Sequence, residues 1–310
     1  MKNRPLQIAL YLGVLMPCLM LLLISKVYTK PETNPTEEAP EKLQLQVLMP
    51  DGAIKNMALE DYVLGVVLAE MPASFETEAL KAQAVVARTY ALREKRHQNA
   101  NICTDSTCCQ AYCAPESYTG GNKALEKVRL AVEATATQVL TYQGEMIEAT
   151  YFSCSGGKTE DAAAVWGQTV PYLQAVDSPG EEKADNYIKT ISISAGEFSA
   201  AFGGLSGMPG NWIGKVTYTK GGGVDTIVIG GKEYKGTQVR QILGLRSTAF
   251  VITIVGSSVT VTTKGNGHRV GMSQYGADAM AVTGKDYAQI LAHYYPGTKL
   301  QGIDNTDPLR

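Results

Sequence analysis

The chain has 310 residues, a formal net charge of −2 and a hydrophobic fraction of 45%. This length allows one large domain or two small ones, and the hydrophobic fraction allows a sizeable core. The nearly balanced charge, without a basic patch interleaved with aromatic residues, argues against a nucleic-acid-binding protein.

The N-terminal segment has the composition of a membrane anchor. Residues 6–25 carry no charge and are rich in Leu, Ile, Val and Met, and about 20 such residues span a bilayer core. Lys2 and Arg4 precede them, which favours a cytoplasmic N-terminus. No small-residue cleavage site follows, so we predict a cytoplasmic tail at 1–5 and an uncleaved transmembrane signal anchor at 6–25. A cleaved signal peptide is the alternative, and in both cases the remainder lies outside the cytoplasm.

A polar segment separates this anchor from the rest of the chain. Residues 29–42 read TKPETNPTEEAPEK, a composition that cannot bury apolar surface. We therefore predict a solvated tether at 26–42 and a single large ectodomain at 43–310.

The ectodomain mixes helical and strand patterns. Hydrophobic spacing and turn residues predict a strand at 43–49, a turn at 50–52, and helices at 59–70, 76–96 and 122–136. A hairpin of 139–142 with 145–152, a strand at 187–194 and a short helix at 196–202 should follow. Strands with Gly-rich turns are predicted over 216–263, and helices at 273–282 and 286–294. These elements show no regular βαβ alternation. The predicted class is α+β, with packed helices and antiparallel hairpins.

Glu70 ends the first predicted helix in an unusual setting. Tyr62, Val63, Val66 and Val67 recur at the spacing of a buried stripe, and Glu70 continues it. Pro72 disfavours helical geometry at the preceding residue, so Glu70 should lie in the last turn. Burial and the negative end of the helix dipole would both raise the pKa of this carboxyl group, as a general acid requires. The alternatives are a partly exposed helix-end residue or a carboxylate neutralised by an arginine.

The second predicted helix carries a face of small residues, Ala84, Ala87 and Ala91, and should pack closely against the first. Arg88 is near this face, and a semi-buried arginine needs an anionic partner. Glu70 or a substrate group could supply that partner. A surface arginine is the alternative.

Several segments resemble one known family. They are EDYVLGVVLAEMPASFETEALKAQAVVARTYAL at 60–92, DSTCCQAY at 105–112, YFSCSGGKTEDAAAVWGQTVPYL at 151–173, GNGHRVGMSQYGADAMA at 265–281 and AHYYPGTKL at 292–300. Together they resemble the stage II sporulation protein D family over residues 43–302. The resemblance implies a lytic transglycosylase that cleaves the MurNAc–GlcNAc bond of peptidoglycan, from strands stripped of stem peptides, and leaves a 1,6-anhydro sugar.

The family's acid/base glutamate precedes Met-Pro, which corresponds to Glu70. One acid is sufficient for such an enzyme because the 6-hydroxyl of the sugar attacks its own anomeric carbon, whereas ordinary glycoside hydrolysis uses two carboxylates. No organic cofactor is implied.

The remaining motifs supply candidate substrate-binding side chains. In the glycine-rich segment His268 and Gln274 can bond sugar hydroxyl or acetamido groups, although a structural role for His268 is the alternative. Arg269 stands where many family members have glycine. The central motif offers Tyr151, Ser153 and Tyr172 as cleft residues, while Trp166 is expected in the core. Arg88 and Gln110 complete the predicted binding set.

Four cysteines are concentrated at 103, 108, 109 and 113. A disulfide is the usual expectation outside the cytoplasm. Some family members resemble this stretch with Cys-x4-His and hold zinc, and here Cys103 matches the Cys and Cys108 replaces the His. A structural zinc ion at Cys103 and Cys108 is therefore one hypothesis, and a disulfide or free thiols are the others.

The resemblance also implies a biological setting. It predicts a single-pass protein of the mother-cell membrane that acts on septal peptidoglycan during engulfment, with sporulation proteins P (an amidase and endopeptidase) and M (a membrane protein) as partners. A non-catalytic peptidoglycan-binding module, as in the related amidase enhancers, and a structural membrane anchor for a cell-wall complex are the alternatives.

Overall fold

The computed structural model describes residues 43–93, 97–185 and 187–304. The predicted tail, anchor and tether lie outside these ranges. Within them, no helix has both the length and the apolar character needed to cross a bilayer.

The fold opens with the predicted hairpin. Strands β1 (Gln44–Leu48) and β2 (Ile54–Ala58) pair antiparallel around a turn in which Gly52 has a φ of 82°. A third strand, β3 (Ile102–Cys103), joins β1 in parallel. This sheet therefore holds the cysteine-rich segment beside the start of the first helix.

Three helices form the centre of the main hydrophobic cluster: α1 (Leu59–Glu70), α2 (Thr77–Arg93) and α3 (Asn122–Glu133). All three confirm predicted helices, although α3 ends three residues earlier than expected. Helix α1 is buried on more than the predicted stripe, because it packs against both α2 and α3. Its end is set as predicted: Met71, before Pro72, is extended with φ −123° and ψ 137°.

Shorter elements complete this half of the molecule. They are β4 (Gln138–Tyr142), β5 (Glu145–Met146), β6 (Tyr151–Phe152), α4 (Ala162–Trp166), β13 (Met272–Ser273), α7 (Gln274–Val282), α8 (Tyr287–Tyr294) and β14 (Lys299–Gly302). The predicted hairpin is confirmed for β4 and β5, with β14 on the other side of β4. Strand β6 departs from the prediction, since it leaves the hairpin and pairs in parallel with β13.

The segment from β7 to β12 builds a second hydrophobic cluster. Its elements are β7 (Ile188–Ser194), α5 (Ala195–Ala201), β8 (Ile213–Tyr218), β9 (Val224–Ile229), β10 (Lys232–Lys235), α6 (Gly236–Ile242), β11 (Phe250–Val255) and β12 (Ser258–Lys264). They form two three-stranded antiparallel sheets around Phe198, Trp212 and Val261. The α+β class with antiparallel sheets is confirmed. Helix α6 was not predicted, because only seven residues interrupt a long strand pattern.

Arg88 is a structural residue of the main cluster. Its side chain is fully buried, with Nε 2.9 Å from Glu60 Oε1 and Nη2 2.6 Å from Glu60 Oε2. Nη1 also donates to the carbonyl of Gln138 at 3.1 Å. The prediction that Arg88 binds substrate or pairs with Glu70 is wrong. Glu60 and Glu70 lie at opposite ends of α1, about 15 Å apart along the helix axis. The packing of α2 places Arg88 beside the N-terminal end of α1, where Glu60 lies.

Replacing Arg88 by Met should destabilise the protein by about 3–5 kcal/mol, because Glu60 would be left as an uncompensated, partly buried charge. Denaturant unfolding would measure this loss. The matched control is Arg129→Ala, whose exposed pair with Glu126 should contribute less than about 0.5 kcal/mol. An Arg88→Met protein as stable as the control would contradict the structural role.

Candidate active site

Two cavities meet at Glu70, at the end of α1, and together they are called the groove below. Two cavities, of about 740 and 510 Å³, share Glu70, Ser153 and Gln274 in their linings. The larger cavity continues past Trp166 and His268, and the smaller continues past Pro72, Tyr118 and Tyr275. Glu70 is therefore one of three residues that line both cavities.

The two oxygens of Glu70 have different surroundings. Oε1 accepts the Ala111 backbone N–H at 3.0 Å and the Tyr151 hydroxyl at 3.1 Å. Gln110 Nε2 donates to the same hydroxyl at 3.2 Å, so the single phenolic proton of Tyr151 is directed to Glu70. Because Oε1 already accepts two donors, the proton of the neutral carboxyl group belongs on Oε2.

Burial raises the pKa of Glu70, and the hydrogen bonds from Ala111 and Tyr151 and the nearby amide of Gln274 oppose that shift without cancelling it. The predicted direction is confirmed. The predicted contribution of the helix dipole is not among the causes. Burial alone favours the proton-bearing form that a general acid needs.

Tyr151 stays a hydrogen-bond donor because burial, reinforced by the Glu70 charge, raises the pKa of its hydroxyl far above the usual value. Gln110 is itself buried, and its Oε1 accepts the hydroxyl of Tyr62 at 3.3 Å. The prediction that Gln110 binds substrate is therefore wrong. Gln110 lies behind Tyr151 and orients it.

The groove contains four of the predicted binding residues. Tyr151, Ser153, His268 and Gln274 all line the larger cavity. The Gln274 amide nitrogen is buried near Glu70 and opposes the rise in the pKa of its carboxyl group, yet it makes no hydrogen bond of normal geometry with another described residue.

Two aromatic residues differ from the predictions. Tyr172 does not line either cavity around Glu70, and its hydroxyl instead accepts the backbone N–H of Glu148 at 3.0 Å. Trp166 is not a core residue: 43% of its surface is exposed and it lines the larger cavity. Glu148 lines the same cavity and was not predicted.

His268 is an uncharged group in the groove. Its Nδ1 accepts the backbone N–H of Val270 at 3.1 Å, which places the proton on Nε2. Burial, together with the charge of Arg240, lowers the pKa of His268 to about 4. The imidazole is therefore neutral near pH 7.

Arg269 holds the two loops that frame the groove. Its φ of 68° lies in the left-handed region that glycine prefers. The buried guanidinium compensates for this conformation by donating to the carbonyls of Ser155 and Gly221 at 2.7 Å and to Glu160 Oε1 at 3.1 Å. Both the glycine-rich loop and the central motif are fixed by this one side chain.

The cysteine-rich segment forms a candidate metal centre. His97, Cys103, Cys108 and Cys109 bring their ligand atoms within 4.8 Å of one another. No disulfide joins the five cysteines of the described ranges, and Cys108 Sγ lies 3.8 Å from Cys109 Sγ, far beyond a bonded distance. The hypothesis of a metal at Cys103 and Cys108 thus gains two further ligands. The pattern His-x5-Cys-x4-Cys-Cys was the available signal.

The donor set fits a structural zinc ion. Three sulfurs and one imidazole provide the four ligands of a closed tetrahedral site, which the two predicted ligands could not. Burial raises the pKa of the Cys109 thiol to about 12, so thiolates at this place require a cation. Zinc would supply that charge.

The candidate metal centre is connected to Glu70 through the residues that follow Cys109. Gln110 and Ala111 directly follow Cys109, and through them the segment orients Tyr151 and donates to Glu70. The single hydroxyl proton of Tyr62 is shared between Gln110 Oε1 and the carbonyl of Cys103, each 3.3 Å away, and Cys113 N–H donates to the Gly65 carbonyl of α1. The ligand-bearing loop is therefore tied to α1 at several points.

An α+β fold with one shielded carboxyl group in an open groove defines a protein with a candidate acid–base site.

The family model described as Stage II sporulation protein matches residues 51–142. The chain is 41% identical over 266 residues to stage II sporulation protein D of Bacillus amyloliquefaciens, covering 82% of this chain and 77% of that relative. The corresponding protein of Bacillus subtilis is also 41% identical, over 81% of this chain and 77% of its own length.

The chain belongs to the stage II sporulation protein D family, which confirms the resemblance seen in the sequence. It is also 32% identical to the amidase enhancer of Bacillus subtilis, over 76% of this chain and 40% of that protein.

Tyr151→Phe should raise the pKa of Glu70, because it removes a donor that favours the ionised carboxylate. A ¹³C titration of the glutamate carboxyl signals would measure the shift. Tyr172→Phe is the matched control, since that hydroxyl does not contact Glu70, and it should leave the titration unchanged. A lowered or unchanged pKa in Tyr151→Phe would show that the hydroxyl does not donate to Glu70.

Protein purified without chelator should contain about one zinc per chain, bound by the three cysteines and His97. Cys109→Ser should lose most of the metal and unfold several degrees lower, whereas Cys113→Ser, a cysteine outside the cluster, should retain it. Elemental analysis and calorimetry provide the two measurements. Less than about a tenth of an equivalent of zinc, with a disulfide within the cluster, would exclude the metal centre.

Proposed function

We propose that this protein is a lytic transglycosylase that cleaves the MurNAc–GlcNAc bond of peptidoglycan strands and leaves a 1,6-anhydro-MurNAc end. The observation that carries the proposal is the position of Glu70, a carboxyl group with a raised pKa that lines two adjoining cavities. A polymer lying along the groove would pass beside Glu70, whose proton we assign to Oε2 because Oε1 accepts two donors.

The chemistry needs one group with two successive tasks. Glu70 gives its proton to the glycosidic oxygen as the bond to the anomeric carbon breaks. The 6-hydroxyl of the same MurNAc then attacks that carbon, and Glu70 accepts the hydroxyl proton. The carboxyl group is restored, no water is consumed, and the donors on Oε1 stabilise the carboxylate that exists between the two steps.

Glu148 provides the test of a single-acid mechanism, because it is a second carboxylate in the larger cavity. Its carboxylate makes no hydrogen bond or ion pair with another described residue, unlike the oriented carboxyl group of Glu70. A hydrolase would need this second group to activate water or to act as nucleophile. The proposed reaction does not.

The role we propose for zinc is structural. The cysteine segment supplies Ala111 N–H and Gln110 to the Glu70 network, and four protein ligands leave no open position for water. Zinc would therefore hold these residues in place and take no part in the bond rearrangement.

The alternative is a peptidoglycan-binding module without its own glycosidic activity. The similarity to a protein named amidase enhancer favours this candidate. Analysis of the products formed from glycan strands distinguishes the two, since a binding module releases none.

The proposed setting rests on the sequence and the family. The charge-free segment at 6–25 supports a membrane anchor, and family membership supports a sporulation role. We propose that the protein faces septal peptidoglycan from the mother-cell membrane during engulfment, with sporulation proteins P and M as partners and peptide-free strands as substrate.

Glu70→Gln should abolish anhydro-sugar products from peptide-free glycan strands, whereas Glu148→Gln should retain most of the activity. Mass spectrometry of the products is the measurement. In a spore-forming host lacking its own copy, the wild-type gene and not the Glu70→Gln gene should restore engulfment. Near wild-type turnover by Glu70→Gln would exclude Glu70 from the mechanism. If the wild-type protein formed ordinary reducing ends by addition of water, and Glu148→Gln did not, the protein would be a hydrolase.

Stability provides the control for folding in the same experiment. Because burial raises the folded pKa of Glu70 above its unfolded value, ionisation costs stability as the pH rises through the folded pKa. Glu70→Gln should therefore be at least as stable as the wild type above that pH. The difference should vanish at low pH, where Glu70 is protonated in both states.

A further inference from the structure

Trp166 has surroundings that the single-acid mechanism does not explain. Among the described residues, the large side chains that remain exposed include two aromatic ones, Trp166 and Tyr218, and only Trp166 lines a cavity beside Glu70. The indole N–H has no hydrogen bond with another described residue. Trp212, the other tryptophan, is buried and donates its indole N–H to the Ser206 carbonyl at 2.9 Å.

The backbone that carries Trp166 is firmly attached to the main cluster. Helix α4 ends at Trp166, and the next residue, Gly167, has a φ of 79° that turns the chain away immediately after the tryptophan. At the start of the helix, Ala162 N–H donates to the Leu173 carbonyl at 3.0 Å, and Asp161 Oδ1 accepts the Ala175 N–H at 2.8 Å. The exposed ring therefore belongs to a short helix that is pinned at its N-terminal end.

The ring itself is supported from within the groove. The imidazole of His268 lies 5.4 Å from the Trp166 ring at 48°, and Phe152 lies 5.6 Å from His268 on an edge-to-face geometry. His268 is held in turn by the Val270 N–H. Three aromatic rings thus follow one another along the wall of the larger cavity, and the last of them is partly open to solvent.

We infer that Trp166 is the stacking platform for one N-acetylated pyranose of the glycan, on the larger-cavity side of Glu70. This inference rests on the proposed function and adds the residue that binds the sugar. A β-linked pyranose presents a face of C–H groups, which packs on an aromatic ring, and a rim of polar groups, which needs hydrogen-bond partners. The cavity supplies both, since Ser153, Asn266 and Gln274 line it with Trp166.

The platform also accounts for the shape of the groove. A cavity of about 740 Å³ is large enough for more than one sugar ring, and a polymer held only at Glu70 would not have a defined register. Stacking on a rigid ring fixes one pyranose, and the covalent chain then sets which glycosidic oxygen meets Oε2. Trp166 is therefore a binding and positioning residue rather than a catalytic one.

The test uses the Glu70→Gln protein, which binds without cleaving, and soluble peptide-free tetrasaccharides released from peptidoglycan. Saturable binding should change the tryptophan fluorescence. The fluorescence change should persist when Trp212→Phe is added to the Glu70→Gln protein, and it should disappear when Trp166→Phe is added instead. Calorimetric titration should show binding about tenfold weaker for Trp166→Ala and within about threefold of the parent for Trp166→Phe, which keeps an aromatic face.

Tyr218→Ala is the matched control, because it removes an exposed aromatic residue outside both cavities and should leave the affinity unchanged. Equal affinity of Trp166→Ala and the parent would overturn the inference while leaving the proposed reaction intact. Failure of the parent to bind any tetrasaccharide would overturn the glycan assignment itself, and the platform with it.

Discussion

The candidate site depends on one hydrogen-bonded carboxyl group at the end of a buried helix. Burial makes the charged form of Glu70 unfavourable, while two donors on Oε1 make it more favourable, and the balance leaves the pKa raised. A group poised in this way can release a proton and take one back. The donors come from segments 41 and 81 residues away, so the site exists only when the whole main cluster is assembled.

The rest of the main cluster can be understood as support for that balance. The Arg88–Glu60 pair fixes α2 against the start of α1, and Arg269 fixes the loops on the far side of the groove. The candidate metal cluster lies in the segment that carries Ala111, and a bound ion would hold that segment in place. The two buried arginines are stabilising only while their carboxylate and carbonyl partners are present.

The groove gives this balance its chemical context. A single oriented carboxyl group, open space on both sides of it and an exposed tryptophan are consistent with a polymer substrate whose own hydroxyl is the nucleophile. The second hydrophobic cluster, from β7 to β12, contributes the strand that leads into the glycine-rich loop. Its exposed sheet faces are not needed for the proposed reaction.

The sequence by itself determined the local features. Hydrophobic spacing and Pro72 predicted α1 and the place of Glu70 at its end, because helix periodicity and the steric effect of proline act over a few residues. Only the tertiary structure decided which groups meet: Glu60 rather than Glu70 opposite Arg88, Gln110 behind Tyr151, His97 and Cys109 in the metal cluster, and Trp166 in the groove. Spacing defines the face of a helix on which a side chain lies, whereas its partner depends on contacts between segments that are distant in the chain.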